Sequence, residues 1–108
     1  MNPDFKTKVD TRLEEAKSAL IEEFHPQKII LFGSFARGAV EENSSIDILI
    51  IADTDLSFYE RIKRAIKVSR GIPPIDPLVY TPQEVAQLQE EGDYFLENIL
   101  GEGIVLYP

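Results

Sequence analysis

The run Leu31-Phe32-Gly33-Ser34-Phe35-Ala36-Arg37-Gly38, followed after a polar stretch by Ser44-Ser45-Ile46-Asp47-Ile48-Leu49-Ile50, constrains the fold more than any other part of the chain. It reads as a strand, a Gly-Ser turn, a short helix, and a second apolar strand with one carboxylate inside it. A charge within an apolar strand is costly unless it is paired or holds a metal. A Gly-Ser turn that opens a helix offers backbone N–H groups and the positive end of a dipole to an anion. Together the two segments point to a place where a metal-bound triphosphate sits.

The other elements fall around that pair. Asn2 can cap and Pro3 can take the first turn of a helix. Phe5, Val9, Leu13, Ala16, Leu20 and Phe24 follow at spacings of three and four, the apolar stripe of an amphipathic helix. His25-Pro26 ends it, because the residue before a proline is pushed out of helical geometry. Residues 28–32 read as a short buried strand, 39–44 as a polar loop, and 46–52 as a near-continuous apolar strand of the kind covered on both faces. Ser57 and Glu60 form a capping box for a helix that runs to about Arg70 and is stopped by Gly71. Residues 75–80 make a third strand, and Pro77, which removes a ladder donor, places it at an edge or a bulge. Thr81-Pro82-Gln83-Glu84 is a second capping box with proline at the first helical position. A further helix spans 93–100 with Gly101 as its stop, and 103–107 form a last short strand. This alternation of helices and strands within 108 residues predicts one α/β domain.

Hydrophobic residues make up 44% and charged residues 28% of the chain, an ordinary balance for a globular protein. With no cysteine, disulfides and thiolate metal sites are excluded. The best apolar run is split by Asp47 and falls short of a membrane span. The N-terminal residues do not form a secretory signal, so a cytoplasmic protein is expected. The net charge of -8 argues against broad nucleic-acid binding and a DNA-polymerising role, both of which need a basic surface. The charge is unevenly spread. Arg61, Lys63, Arg64, Lys67 and Arg70 face only Glu60 within residues 57–70, a local +4 that leaves -12 for the rest. That helix reads either as a solvated face or as a docking strip for an acidic partner.

Gly33 lets a backbone approach a ligand closely, and Ser34 adds a hydroxyl at a helix start. The plainer alternative is a strand-to-helix turn with a serine cap. Asp47 has apolar neighbours at 46 and at 48 to 51. It is either a buried aspartate satisfied by backbone amides or a hard oxygen ligand for Mg²⁺, which takes one or two carboxylates plus substrate phosphates. Asp76 is the second carboxylate, though an aspartate before proline also suits a turn. Arg37 contacts phosphate, steadies the carboxylates, or is a helix-surface arginine. His25, the only histidine, reads as a partner of the helix C-terminal dipole, which leaves no Ser-His-Asp set.

These residues carry a resemblance. Gly33 to Gly38 followed by Ser44 to Ile50 resembles the signature of the minimal nucleotidyltransferases of the DNA polymerase beta superfamily. That pattern is Gly-Ser, ten residues, Asp, any residue, Asp. Here the ten residues Phe35 to Ser44 lead to Ser45, Ile46 and Asp47, so the second aspartate is present and the first is a serine. The family's third carboxylate, on a later strand, matches Asp76. The resemblance spans nearly the whole chain and implies a mixed sheet of about four strands flanked by helices. It implies Asp47 and Asp76 as catalytic carboxylates holding Mg²⁺, and Gly33, Ser34 and Arg37 as phosphate-binding residues. It implies transfer of a nucleoside monophosphate from an NTP, ATP foremost, to a hydroxyl. It further implies a small helical partner protein of the HEPN type, in some pairs as toxin and antitoxin, with the partner as the adenylylated acceptor.

Positions 45 and 47 share a strand face, so Ser45 takes one formal charge and one strong ligand from beside Asp47. Two unit charges 4 Å apart interact by roughly 4 kcal/mol at an effective dielectric of about 20, and about 1.36 kcal/mol is tenfold in rate. Several orders of magnitude in activity are therefore at stake. Glu41 and Glu42 lie on the preceding loop, near enough to fold back, whereas Asp53 is roughly 20 Å along the strand and out of reach. Two readings stand: a nucleotidyltransferase of lowered activity, or a catalytically degenerate subunit that binds or neutralises a partner, antitoxin-like. The nucleotide base, the acceptor and the oligomeric state are left open.

Overall fold

The computed structural model describes residues 3–39 and 43–108, the first four by backbone alone. Asn2, Glu41, Glu42 and the Phe5 side chain lie outside these residues. The described elements are α1 (Pro3–Phe24), β1 (Lys28–Phe32), α2 (Gly33–Ala36), β2 (Ile46–Ile51), α3 (Phe58–Val68), β3 (Ile75–Tyr80), α4 (Pro82–Glu90), α5 (Tyr94–Glu102) and β4 (Ile104–Tyr107). The strands form one mixed sheet in the order β3-β2-β1-β4. β1 pairs antiparallel with both β2 and β4, while β2 and β3 run parallel. Pro77 lies on an edge strand, and the β2–β3 register holds from Ile46↔Ile75 to Ile51↔Tyr80 without a bulge.

Side chains alternate along a strand, and here that alternation divides two cores. Ile46, Ile48 and Ile50 point to the face covered by Val9, Ala16, Leu20 and Phe24 of α1 and Ala65 of α3. Leu49 and Ile51 point to the other face, packed with Ile30 and with Leu96 and Ile99 of α5. β2 is thus apolar throughout because both of its faces are covered. Asp47, with odd parity, falls on the α5 face at the end of the strand. Among the described residues no helix is long and apolar enough to cross a membrane.

The helix boundaries follow local chemistry. Thr81 and Glu84 form the full reciprocal capping box, with Pro82 opening α4. Ser57 caps α3 by accepting from the Glu60 N–H at 3.3 Å. α3 stops at Val68, two residues short of the expected Arg70, where the Ser69 hydroxyl donates to the Ala65 carbonyl at 2.6 Å. α5 runs past Gly101 and ends at Gly103. At the end of α1, His25 takes a left-handed conformation (φ 47) and donates its N–H to the Ile21 carbonyl at 2.9 Å.

The basic helix α3 corrects the expectation of a wholly solvated strip. Arg61 is only 7% exposed. Its Nε donates to the Leu56 carbonyl at 2.9 Å, and its Nη1 donates to the Val79 carbonyl at 3.2 Å and to Glu84 Oε1 at 2.6 Å. That same Oε1 accepts from the Thr81 N–H at 2.8 Å, so one carboxylate joins α3, the end of β3 and the cap of α4. Arg64 reaches across to Glu23 of α1 at 2.9 Å. Burial raises the Glu84 pKa, but the hydrogen bonds from Arg61 and the Thr81 N–H outweigh it and hold the carboxyl below the usual range. A depressed carboxylate contributes stability above its unfolded pKa and loses it as pH falls through the folded value. Arg61→Ala removes the three hydrogen bonds that Arg61 donates and strands the Leu56 and Val79 carbonyls. It is expected to cost about 2–3 kcal/mol at neutral pH in a urea melt, with a smaller difference in acid.

Candidate functional site

The site is built by strand register. Phe32, the last residue of β1, pairs with Asp47, the second of β2, and Asp47 pairs with Asp76, the second of β3. The three therefore stand in one row on the α5 face of the sheet, at one end. Ile48 and Pro77, their successors, point into the opposite face, where Pro77 is fully buried. A cavity of about 380 Å³ opens over the row, lined by Phe32, Asp47, Asp76, Leu78 and Phe95.

Gly33 follows Phe32 and turns the chain over Asp47. Its φ of +74 lies in the left-handed region, and an added Cβ would fall onto the Asp47 carboxylate, 3.1 Å from Cγ. Only glycine fits both the conformation and the contact. Ser34 is the second residue of the four-residue α2, whose N-cap is Phe32 with no side-chain capping bond. The serine is thus not the cap. Arg37 is exposed at the C-cap of α2, and its positive charge acts on Asp47. It also lines a second cavity, of about 170 Å³, with Phe32, Phe95, Asn98, Ile99 and Glu102.

Burial pushes the Asp47 pKa up, the negative charge of Asp76 and a hydrogen bond shared with it push further, and Arg37 opposes them. A raised carboxyl pKa makes the fold less stable as pH climbs from the unfolded value through the folded one. Asp47→Asn is therefore expected to be more stable than the natural chain at pH 7. A gain of about 0.5 kcal/mol raises the Tm of a domain this size by roughly 2–4 °C, and the gain should vanish in scanning calorimetry well below the ordinary aspartate pKa of about 3.9, where position 47 is neutral in both proteins.

Ser45 lies exposed two residues ahead of Asp47, directly before β2. Asp53 is beyond the far end of β2. Among the described residues no three His, Cys, Asp or Glu side chains gather into a metal-holding group. Asp47 and Asp76 are the pair that could hold a hard divalent cation. Two carboxyls forced into contact, one of them with a raised pKa, form a charge arrangement that such a cation relieves. Sequence reasoning had missed the wall of Phe32, Leu78 and Phe95. Its members are spread over β1, β3 and α5, and only the strand register brings them together.

Comparison with known proteins agrees with this architecture. The family described as polymerase beta, nucleotidyltransferase matches residues 14–108. A protein of Methanocaldococcus jannaschii named putative protein adenylyltransferase is 36% identical over 81 residues, covering 75% of this chain and 78% of that protein. The crystal structure of a putative nucleotidyltransferase from Sulfolobus solfataricus superposes with a TM-score of 0.53 at 20% identity, over 90% of this chain and 83% of that one. A toxin-antitoxin crystal structure with AMP-PNP gives a TM-score of 0.55 at 20% identity, over 87% of this chain and 71% of that one. At that identity the two structures share the fold. By its match over most of its length, this chain belongs to the polymerase beta nucleotidyltransferase family.

Proposed function

We propose that this protein binds Mg²⁺ and an NTP, ATP foremost, over Asp47 and Asp76, and transfers the nucleoside monophosphate to a hydroxyl of a partner protein. The observation that carries this reading is the register that pairs Asp47 with Asp76, with Gly33 packed against Asp47. Asp47 and Asp76 would hold the cation. Bound there, Mg²⁺ would neutralise charge on the phosphates and acidify the attacking hydroxyl. The rest is positioning. Gly33 leaves room for a phosphate against the backbone, the Ser34 hydroxyl donates to it, and Arg37 offsets its charge. The acceptor oxygen bonds to the α-phosphorus, the bond to the bridging oxygen breaks, pyrophosphate leaves, and the hydroxyl proton passes to solvent. A protein acceptor is supported by the name of the Methanocaldococcus relative and by the toxin-antitoxin neighbour. A helical HEPN-type partner and a cytoplasmic setting belong to the same reading.

A second reading is favoured by Ser45 and by the fact that no third acidic side chain gathers with Asp47 and Asp76 among the described residues. On it, the protein keeps nucleotide binding without transfer and acts by binding its partner. Position-specific labelling separates the two. ATP labelled at the α-phosphate should leave label on a protein acceptor, and γ-labelled ATP should not. Binding of MgATP with no transfer from either position would support the second reading. Transfer from the γ position would contradict both.

A further inference from the structure

The two cavities at the end of the α5 face share one wall. Phe32 and Phe95 line both. Their rings meet edge to face, with centroids 6.0 Å apart and planes at 83°. This contact seats Phe95 against Phe32 and leaves it 51% exposed, in the lining of the cavity that also holds Asp47 and Asp76. The larger cavity is thus divided by chemistry. Asp47 and Asp76 supply its carboxylates, and Phe95, Phe32 and Leu78 supply its apolar lining. A nucleotide has the same division, with phosphates at one end and a flat π-surface at the other. The neighbouring small cavity is also lined by Asn98 and Glu102, one and two turns along α5 from Phe95.

Resting on the reading above, the geometry points to Phe95 as the platform on which the nucleobase stacks, with Phe32 as the buttress that holds its ring. The phosphates over Asp47 and Asp76 place the base on the apolar side of the same cavity. Aromatic stacking is tolerant of base identity. The platform therefore supplies affinity for nucleotides as a class.

The test separates the base from the phosphates. MgATP and magnesium tripolyphosphate are titrated calorimetrically into the natural chain, Phe95→Ala, Phe95→Tyr and Asp47→Asn, and thermal melts check that each is folded. Phe95→Ala is expected to weaken MgATP about tenfold, to leave tripolyphosphate within about twofold, and Phe95→Tyr to retain MgATP binding. Asp47→Asn should weaken both ligands. If Phe95→Ala binds MgATP as the natural chain does, or loses both ligands equally, the platform is wrong while the carboxylate site stands. If the natural chain binds neither ligand, the metal–nucleotide reading falls and the platform falls with it. Sedimentation of the natural chain as a dimer that Phe95→Ala dissociates would also overturn the platform, by showing that a second copy covers the ring.

Discussion

Gly33→Ala is expected to abolish MgATP binding and to lower the Tm by roughly 10 °C. Two separate costs add up at this position. A residue with a Cβ at φ +74 loses about 1–2 kcal/mol in the left-handed region, and 1 kcal/mol is worth roughly 4–8 °C in a domain of this size. The added methyl also lands on the Asp47 carboxylate, which is too short a side chain to yield by a small adjustment. Asp47 must rotate out of the row it forms with Phe32 and Asp76, and the cation seat goes with it. Gly38→Ala separates the two costs. Gly38 has a φ of +77, but an added Cβ there meets nothing within 4 Å. It should lose a similar amount of stability to strain and keep its MgATP affinity. Equal binding losses in the two variants would show that strain in the turn, rather than the contact with Asp47, disables the site.

Ser45→Asp is expected to raise nucleotidyl transfer about a thousandfold. A carboxylate near a bound cation adds roughly 4 kcal/mol per unit charge at about 4 Å and a dielectric of about 20, and each 1.36 kcal/mol is about tenfold. Transfer of α-label to a protein acceptor under saturating MgATP measures it. A stability signature accompanies the gain. A third carboxylate beside two that already crowd one another should lower the Tm in EDTA, and Mg²⁺ should reverse the loss. The natural chain, with two carboxylates, should show a smaller Mg²⁺-dependent rise. A variant with unchanged transfer and no Mg²⁺-dependent stabilisation would remove position 45 from the site.

Part of this arrangement is legible in the sequence. The Gly-Ser turn and the carboxylate inside an apolar strand are local features, and period-two alternation put positions 45 and 47 on one face without saying which. The missing N–H at Pro77 narrowed β3 to an edge or a bulge, and the structure has the edge without the bulge. The α4 start followed from the reciprocal chemistry of Thr81 and Glu84. What the sequence withheld depends on contacts between distant segments. Arg61 sits in a run of charges that reads as solvated, yet two carbonyls and Glu84 draw it inward. Gly101 and Gly103 look alike as helix stops. Gly101 is exposed with nothing near a Cβ, so the helix passes through it at a cost of about 0.5–1 kcal/mol. At Gly103 a Cβ would strike the Ile99 carbonyl and the Ile30 side chain, so there the chain turns into β4. The pairing of Asp47 with Asp76 depends on a parallel register between strands separated by α3. No pattern within either strand specifies it.

The most direct test of the account is a calorimetric titration of MgATP into the natural chain and Asp47→Asn at neutral pH. The variant should be folded and slightly more stable than the natural chain, so a change in binding cannot be assigned to unfolding. The account predicts a saturable heat for the natural chain that EDTA removes, and a loss of affinity of about a hundredfold or more in Asp47→Asn. Equal MgATP binding by the two proteins would contradict it.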